Sequence, residues 1–262
     1  MEEFKYLSDY YSNYDEEGRL LTRYGQVEFL TTMKYINKFL KKDMRVLEVG
    51  AGTGRYSLTI AKDGYKVDAI ELVEHNIEIL KSKVTSDCNI DIRQGNAIDL
   101  SCYEDDTFDI TLVLGPLYHL FNEEDKKQAI KEAIRVTKKK GIIFISYCMN
   151  DATILNWGFK AGNIVNGIKD GIINEENFKC LSSPDLIFEM YRKEDIDKLM
   201  KEFNVQRLHF VATDLFTNHM REVITNMDDE MFKTYLNYHF SVCERDDLIG
   251  ITHHSLDILR KN

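Results

Sequence analysis

The densest chemical signal in the chain is the run Val46-Leu47-Glu48-Val49-Gly50-Ala51-Gly52-Thr53-Gly54. Apolar residues lead into closely spaced glycines, and helical periodicity follows. That order describes a strand, a tight turn and a helix start. Such a turn lets backbone approach a ligand closely and aims helix N-terminal N–H groups at it. Glu48 stands two residues before the first glycine. A carboxylate there is unhelpful beside a pyrophosphate. The third glycine also comes one position earlier than in the G-x-G-x-x-G spacing of dinucleotide-binding turns. Both features disfavour a nicotinamide dinucleotide. The carboxylate suits a ligand that carries an ammonium and a sulfonium.

A second signal is Gly115-Pro116-Leu117-Tyr118-His119-Leu120, which closes the apolar run Phe108–Leu114. His119 is placed to take a proton or orient a substrate, or to cap the next helix or line a pocket. Tyr118 packs against a bound ligand. The N-terminal region is dense in tyrosine at Tyr6, Tyr10, Tyr11, Tyr14 and Tyr24. These rings either form a lid with cation–π contact to a charged ligand or pack an amphipathic segment on a sheet edge. Arg19 and Arg23 either bind an acidic substrate or pair with Asp15, Glu16 and Glu17. His253 and His254 are adjacent, so in a strand they face opposite sides and cannot share one metal ion. No metal site is expected.

The elements that must position these residues alternate. Apolar positions from Val27 to Leu40 recur at helical spacing, and strand-like runs follow at 44–49, 65–72, 90–94, 108–114 and 142–147. Helical patterns lie between them at 56–61, 75–84 and 123–140. This alternation predicts a parallel sheet covered on both faces. Beyond residue 149 the pattern loosens, then returns with a regular run at 186–191, a helix at 193–203, a strand near 207–212, a helical segment at 216–242 and a last strand at 248–259. The expected organisation is an N-terminal helical lid segment, 1–40, and a core, 41–262, with lid insertions at about 149–190 and 213–247.

Taken together, the glycine motif and its context resemble the class I S-adenosylmethionine-dependent methyltransferases, whose first motif is a strand, an acidic residue and G-x-G-x-G. The resemblance implies a doubly wound α/β fold with a mostly parallel seven-stranded sheet and an antiparallel last strand. It implies that Glu48, Gly50, Ala51, Gly52, Thr53 and Gly54 face the cofactor. Glu71, at the end of the second strand, takes the ribose hydroxyls, and Leu72 beside it faces the cofactor. Asn96 and Ala97 read the adenine edge, with Asn96 where the family usually has Asp. Leu114 and Gly115 hold the methionine ammonium. S-adenosyl-L-homocysteine is the implied product. A narrower match, to a bacterial small-molecule-type subgroup, rests on Gly115–Leu120, Glu132, Arg135, His254, Arg19 and Glu28. Tyr11, Tyr14, Arg19 and Tyr24 are the candidate substrate contacts, and His119 and Tyr118 the candidate catalytic pair.

Composition narrows the acceptor. The 262 residues carry 34 basic and 44 acidic side chains, a formal charge of −10, which suits neither nucleic-acid phosphates nor an anionic membrane. No Asn/Asp-Pro-Pro-Tyr/Phe follows the fourth strand, as nucleobase N-methylation requires. The five scattered cysteines, with no CxxC, predict reduced thiols. The N-terminus has no apolar signal region, so a cytoplasmic protein is expected. The reading is methyl transfer to an O, N or S atom of a small molecule. A protein or peptide acceptor, or a non-catalytic module that senses the cofactor or its product, are the alternatives.

Overall fold

A computed structural model describes residues 4–13 and 16–262. Eight strands form one sheet: β1 (Arg45–Val49), β2 (Lys66–Glu71), β3 (Ile90–Gln94), β4 (Phe108–Val113), β5 (Thr137–Met149), β6 (Met190–Tyr191), β7 (Val205–Ala212) and β8 (His254–Lys261). The order is β3-β2-β1-β4-β5-β8-β7, with the two-residue β6 pairing the end of β5. Every neighbouring pair is parallel except those made by β8, which runs antiparallel between β5 and β7. The expected α/β sheet is therefore present, with one short strand more than the seven expected. Residues 46–49 of β1 are at most 1% exposed, because helices cover both faces of a parallel sheet.

The helices are α1 (Lys5–Tyr11), α2 (Glu16–Leu21), α3 (Arg23–Phe39), α4 (Arg55–Lys62), α5 (Glu74–Ser82), α6 (Glu123–Val136), α7 (Asn150–Thr153), α8 (Ile164–Lys169), α9 (Lys193–Met200), α10 (Arg221–Thr225) and α11 (Asp229–Val242). Thr22 caps α3 by accepting from the Gly25 N–H at 3.0 Å. A Cβ at Gly25 would lie 2.1 Å from the Arg19 carbonyl oxygen. Only glycine allows α2 to fold back so tightly onto α3, and that turn sets the position of Arg19.

Three local expectations change for identifiable reasons. The helix predicted to Lys140 stops at Val136, because Thr137 pairs with Phe108 and begins β5. The Thr137 hydroxyl closes the helix on the Ala133 carbonyl at 2.6 Å. The helical segment predicted over 216–242 breaks into α10 and α11, and Asp228 caps the second by accepting from the Met231 N–H at 2.8 Å. The last strand begins at His254 rather than Leu248. The Asp214 carboxylate takes the N–H groups of His253 at 2.8 Å and His254 at 3.3 Å.

The two insertions have different destinations. Residues 149–190 wind through α7, a π-helical turn (Ile154–Lys160) and α8, then return over the end of β5. Residues 213–247 pack on α3, where Ile224, Met227 and Phe232 bury against Val27. Thr31 meets His239 at 2.9 Å, and Arg23 pairs with Asp229 at 3.0 Å. Among the described residues, Thr213 alone carries this second insertion to the cavity described below. All five cysteines are free thiols. Among the described residues no helix is long and apolar enough to cross a membrane.

Candidate active site

The sheet order reverses between β1 and β4, and a cavity opens at the C-terminal ends of the strands there. This is the switch point at which open α/β sheets bind ligands. The glycine loop forms its floor. Gly50, Gly52 and Gly54 have φ of 74°, 53° and 85°, the left-handed region that favours glycine. The N–H groups of Gly50 and Ala51 both reach the Ile70 carbonyl, at 2.8 and 3.0 Å, and tie the loop to β2. A Cβ on Gly54 would fall 2.0 Å from Leu80 Cδ1, whereas one on Gly52 would meet nothing within 4 Å. Gly50, Ala51, Gly52 and Thr53 thus line the cavity, and Gly54 serves instead to seat α4 against α5.

Two carboxylates flank the loop. Glu71 ends β2, accepts from Gly52 N–H at 2.7 Å and from Val73 N–H at 2.9 Å, and faces the cavity. Its burial raises its carboxyl above the usual range, against the pull of these hydrogen bonds. Glu48 is 1% exposed on the cavity floor. It accepts from the Ser57 N–H at 2.9 Å and from the Ser57 hydroxyl. Burial pushes it up to about 8, the Ser57 bonds opposing. Leu72, Asn96 and Ala97 line the wall beside Glu71, and Leu114 and Gly115 the wall beyond the loop.

The roof comes from the N-terminal segment and from the turn after β4. Tyr118 donates its hydroxyl to the Leu114 carbonyl at 3.1 Å. His119 has both ring nitrogens engaged. Nδ1 lies 2.8 Å from the Ile187 carbonyl, which can only accept, so Nδ1 carries the proton. Nε2 then accepts from the Tyr11 hydroxyl at 2.8 Å. Tyr6 adds a bond to the His119 carbonyl at 3.0 Å. Burial pushes the His119 imidazole down to about 4, against the Ile187 bond. His119 therefore clamps α1 to the loop at 187–188 as a neutral ring.

Of the other predicted contacts, Tyr11 and Arg19 reach the cavity. Tyr24 does not line it: the ring packs with the α3–α11 cluster, under Arg221 at 5.0 Å. Tyr14 lies outside the described residues. So do Asp15 and the side chains of Glu16 and Glu17, the expected partners of Arg19. Arg19 is bonded to Glu28 at 2.6 Å.

That pair opens a network of Arg19, Glu28 and His254, which the subgroup match names one by one, with Asp214, which sequence reading missed. Glu28 is 3.4 Å from His254 Nδ1, which is 2.9 Å from Asp214. Burial alone lowers the His254 pKa, but Glu28 and Asp214 outweigh it and hold the imidazole well above its ordinary value. Asp214 is driven far down, burial notwithstanding, by His254, His253 and Thr252. Glu28, Asp214 and His254 bring their ligating atoms within 4.8 Å of one another. A charged His254 and Arg19 already neutralise the two carboxylates. A signal for Asp214 does exist in the sequence: it is an acidic residue just past a buried strand end, much as Glu71 is the acidic last residue of β2. Arg55 and Ser146 also line the cavity, and Arg55 Nε and Ser146 Oγ are buried with no hydrogen-bond partner among the described residues.

Residues 46–141 match the family model of a methyltransferase domain. The matched stretch runs from β1, through the glycine loop, to the first residues of β5 and so carries most of the cavity floor. The methyltransferase-like protein YqeM of Bacillus subtilis is 26% identical over 110 residues, 42% of this chain and 44% of that one. The chain spans less than half the length of the first curated relatives it matches. A ubiquinone biosynthesis O-methyltransferase of Rickettsia bellii is 23% identical over 203 residues, 75% of this chain and 80% of the relative. A SAM-dependent methyltransferase structure from Thermotoga maritima aligns with a TM-score of 0.59 at 16% identity, covering 99% of this chain and 100% of that one. At that identity the likeness shows the fold of the methyltransferase domain.

Proposed function

We propose that the chain is an S-adenosylmethionine-dependent methyltransferase acting on an O, N or S atom of a small molecule. One juxtaposition carries the reading: the Glu71 carboxylate is bonded to the Gly52 N–H of the glycine loop, and both line a cavity at the sheet's switch point. The residues present suit the cofactor. Arg55 Nε, buried at the end of the loop without a partner among the described residues, offers a donor for a carboxylate. Glu71 presents acceptors for ribose hydroxyls. Glu48, or the Leu114 carbonyl, presents an acceptor for an ammonium. Asn96 and Ala97 stand where an adenine edge is read.

When bound, the cofactor would supply a methyl group activated for transfer by its sulfonium sulfur. The chain's own contribution is alignment and exclusion of solvent. Tyr11, Tyr118 and His119 close the roof. His119, neutral and doubly engaged, is a positioning residue for that roof. The roof also favours a small acceptor over a folded protein surface.

The test is thermal denaturation with S-adenosylmethionine, S-adenosylhomocysteine and NAD. At 100 times Kd a ligand bound only to the native state adds about 2.7 kcal/mol, a rise of roughly 5–10 °C for a chain of this size. The two sulfur ligands should give it, NAD should not, and Glu71→Ala should reduce it. No rise with the sulfur ligands at saturation would overturn the reading.

A further inference from the structure

We propose that a second cavity, under the 149–190 insertion, receives the uncharged apolar body of the methyl acceptor, with its nucleophilic end at His254. This rests on the methyltransferase reading above. The cavity holds about 410 Å³, inside the roughly 300–1,000 Å³ usual for small-molecule sites. Cys148, Trp157, Leu181, Phe188 and Met190 form much of its wall, and among the described residues none that lines it is Asp, Glu, Lys or Arg. A guanidinium or ammonium placed there would lose water without gaining a counter-ion.

Two observations join this cavity to the first. His254 lines both. Phe188, on the wall of the second, stacks 5.3 Å from the His119 ring on the wall of the first. The cavities are therefore one side chain apart. The charge of His254 is taken up by Asp214 and Glu28, so the shared wall asks for a polar head group without net charge. Trp157 and Leu181 are 39% and 47% exposed at the cavity. Large apolar side chains left in water beside a concave apolar wall gain by covering with apolar ligand.

Trp157 is the sole tryptophan of the chain, so its emission reports this cavity directly. The probes are 1-hexanol, 1-octanol and 1-decanol, titrated into protein saturated with S-adenosylhomocysteine. Hexylammonium and hexanoate are the charged controls. The expected result is a saturable blue shift, tightening about fourfold per methylene, with much weaker response to both ions. Leu181→Ser, a change at a half-exposed side chain, should weaken octanol severalfold and leave the S-adenosylhomocysteine thermal shift intact. Unchanged Trp157 emission with alcohols, while S-adenosylhomocysteine still binds, would overturn this inference and leave the cofactor reading standing. Equal response to hexylammonium would overturn it too. So would an emission shift that follows protein concentration without alcohol, since that marks a self-association face. Failure to bind S-adenosylhomocysteine would overturn both readings.

Discussion

At the residue scale, two groups are held in unusual protonation states by burial and partners, and the signs lead to one prediction. Glu48 is protonated in the fold up to about pH 8 but ionised above about 4.5 when unfolded. Between those values the native state binds the extra proton, so stability falls as pH rises. His254, held well above its ordinary value, acts in the same direction: its contribution is full below about pH 6.5 and is lost as pH climbs toward the folded value. Unliganded protein should therefore lose stability from pH 6.5 to 8.5. Each group contributes a slope of up to about 1.4 kcal/mol per pH unit while it lies between its two pKa values. Urea midpoints across this range should show Glu48→Gln flatter than the parent up to pH 8. A parent whose stability is constant over the range would contradict the assignment.

At the element scale, the glycine loop separates two duties that the motif alone merges. Gly54 shapes the junction of β1 and α4, while the Cα of Gly52 faces the open cavity. Alanine at position 54 combines a left-handed φ with a contact on Leu80 and should cost about 2–4 kcal/mol. Alanine at position 52 meets no neighbour and should cost about 1–2 kcal/mol. Its methyl group projects where ligand would lie. Denaturant titration should rank Gly54→Ala as the less stable protein. Calorimetry with S-adenosylhomocysteine should show the larger affinity loss in Gly52→Ala. The reverse ranking would mean the loop approaches its ligand through a different glycine.

At the scale of the whole molecule, α3 is the shared support of the N-terminal segment and the second insertion. Glu28 on its cavity side holds Arg19 and His254, and Val27 beside it buries against Ile224 and Phe232. Phe232→Ala should cost about 3 kcal/mol, with unfolding still in one step if the insertion and core are one cooperative unit. A biphasic urea curve in this variant would show that residues 213–247 fold separately.

Much of the core is legible in the amino-acid sequence. Strands that are buried on both faces read as apolar runs, and the turns between them must use glycine where φ is positive. Residues 44–147 therefore declare their order, their parallel sheet and the loop at 50–54. The chain's own letters also place Glu71, Asn96 and Leu114 at strand ends, because successive parallel strands end on the same rim. Tertiary structure alone decides which side chains meet across long separations. Arg19, Glu28, Asp214 and His254 are brought together from α2, α3 and the ends of β7 and β8, through ion pairs that leave no periodic trace in sequence. The same holds for His119, whose role follows from a carbonyl 68 residues away and a tyrosine 108 residues away. Tyr24 resembles Tyr11 by type and spacing. Its place is settled by the apolar cluster that α10 and α11 form with α3.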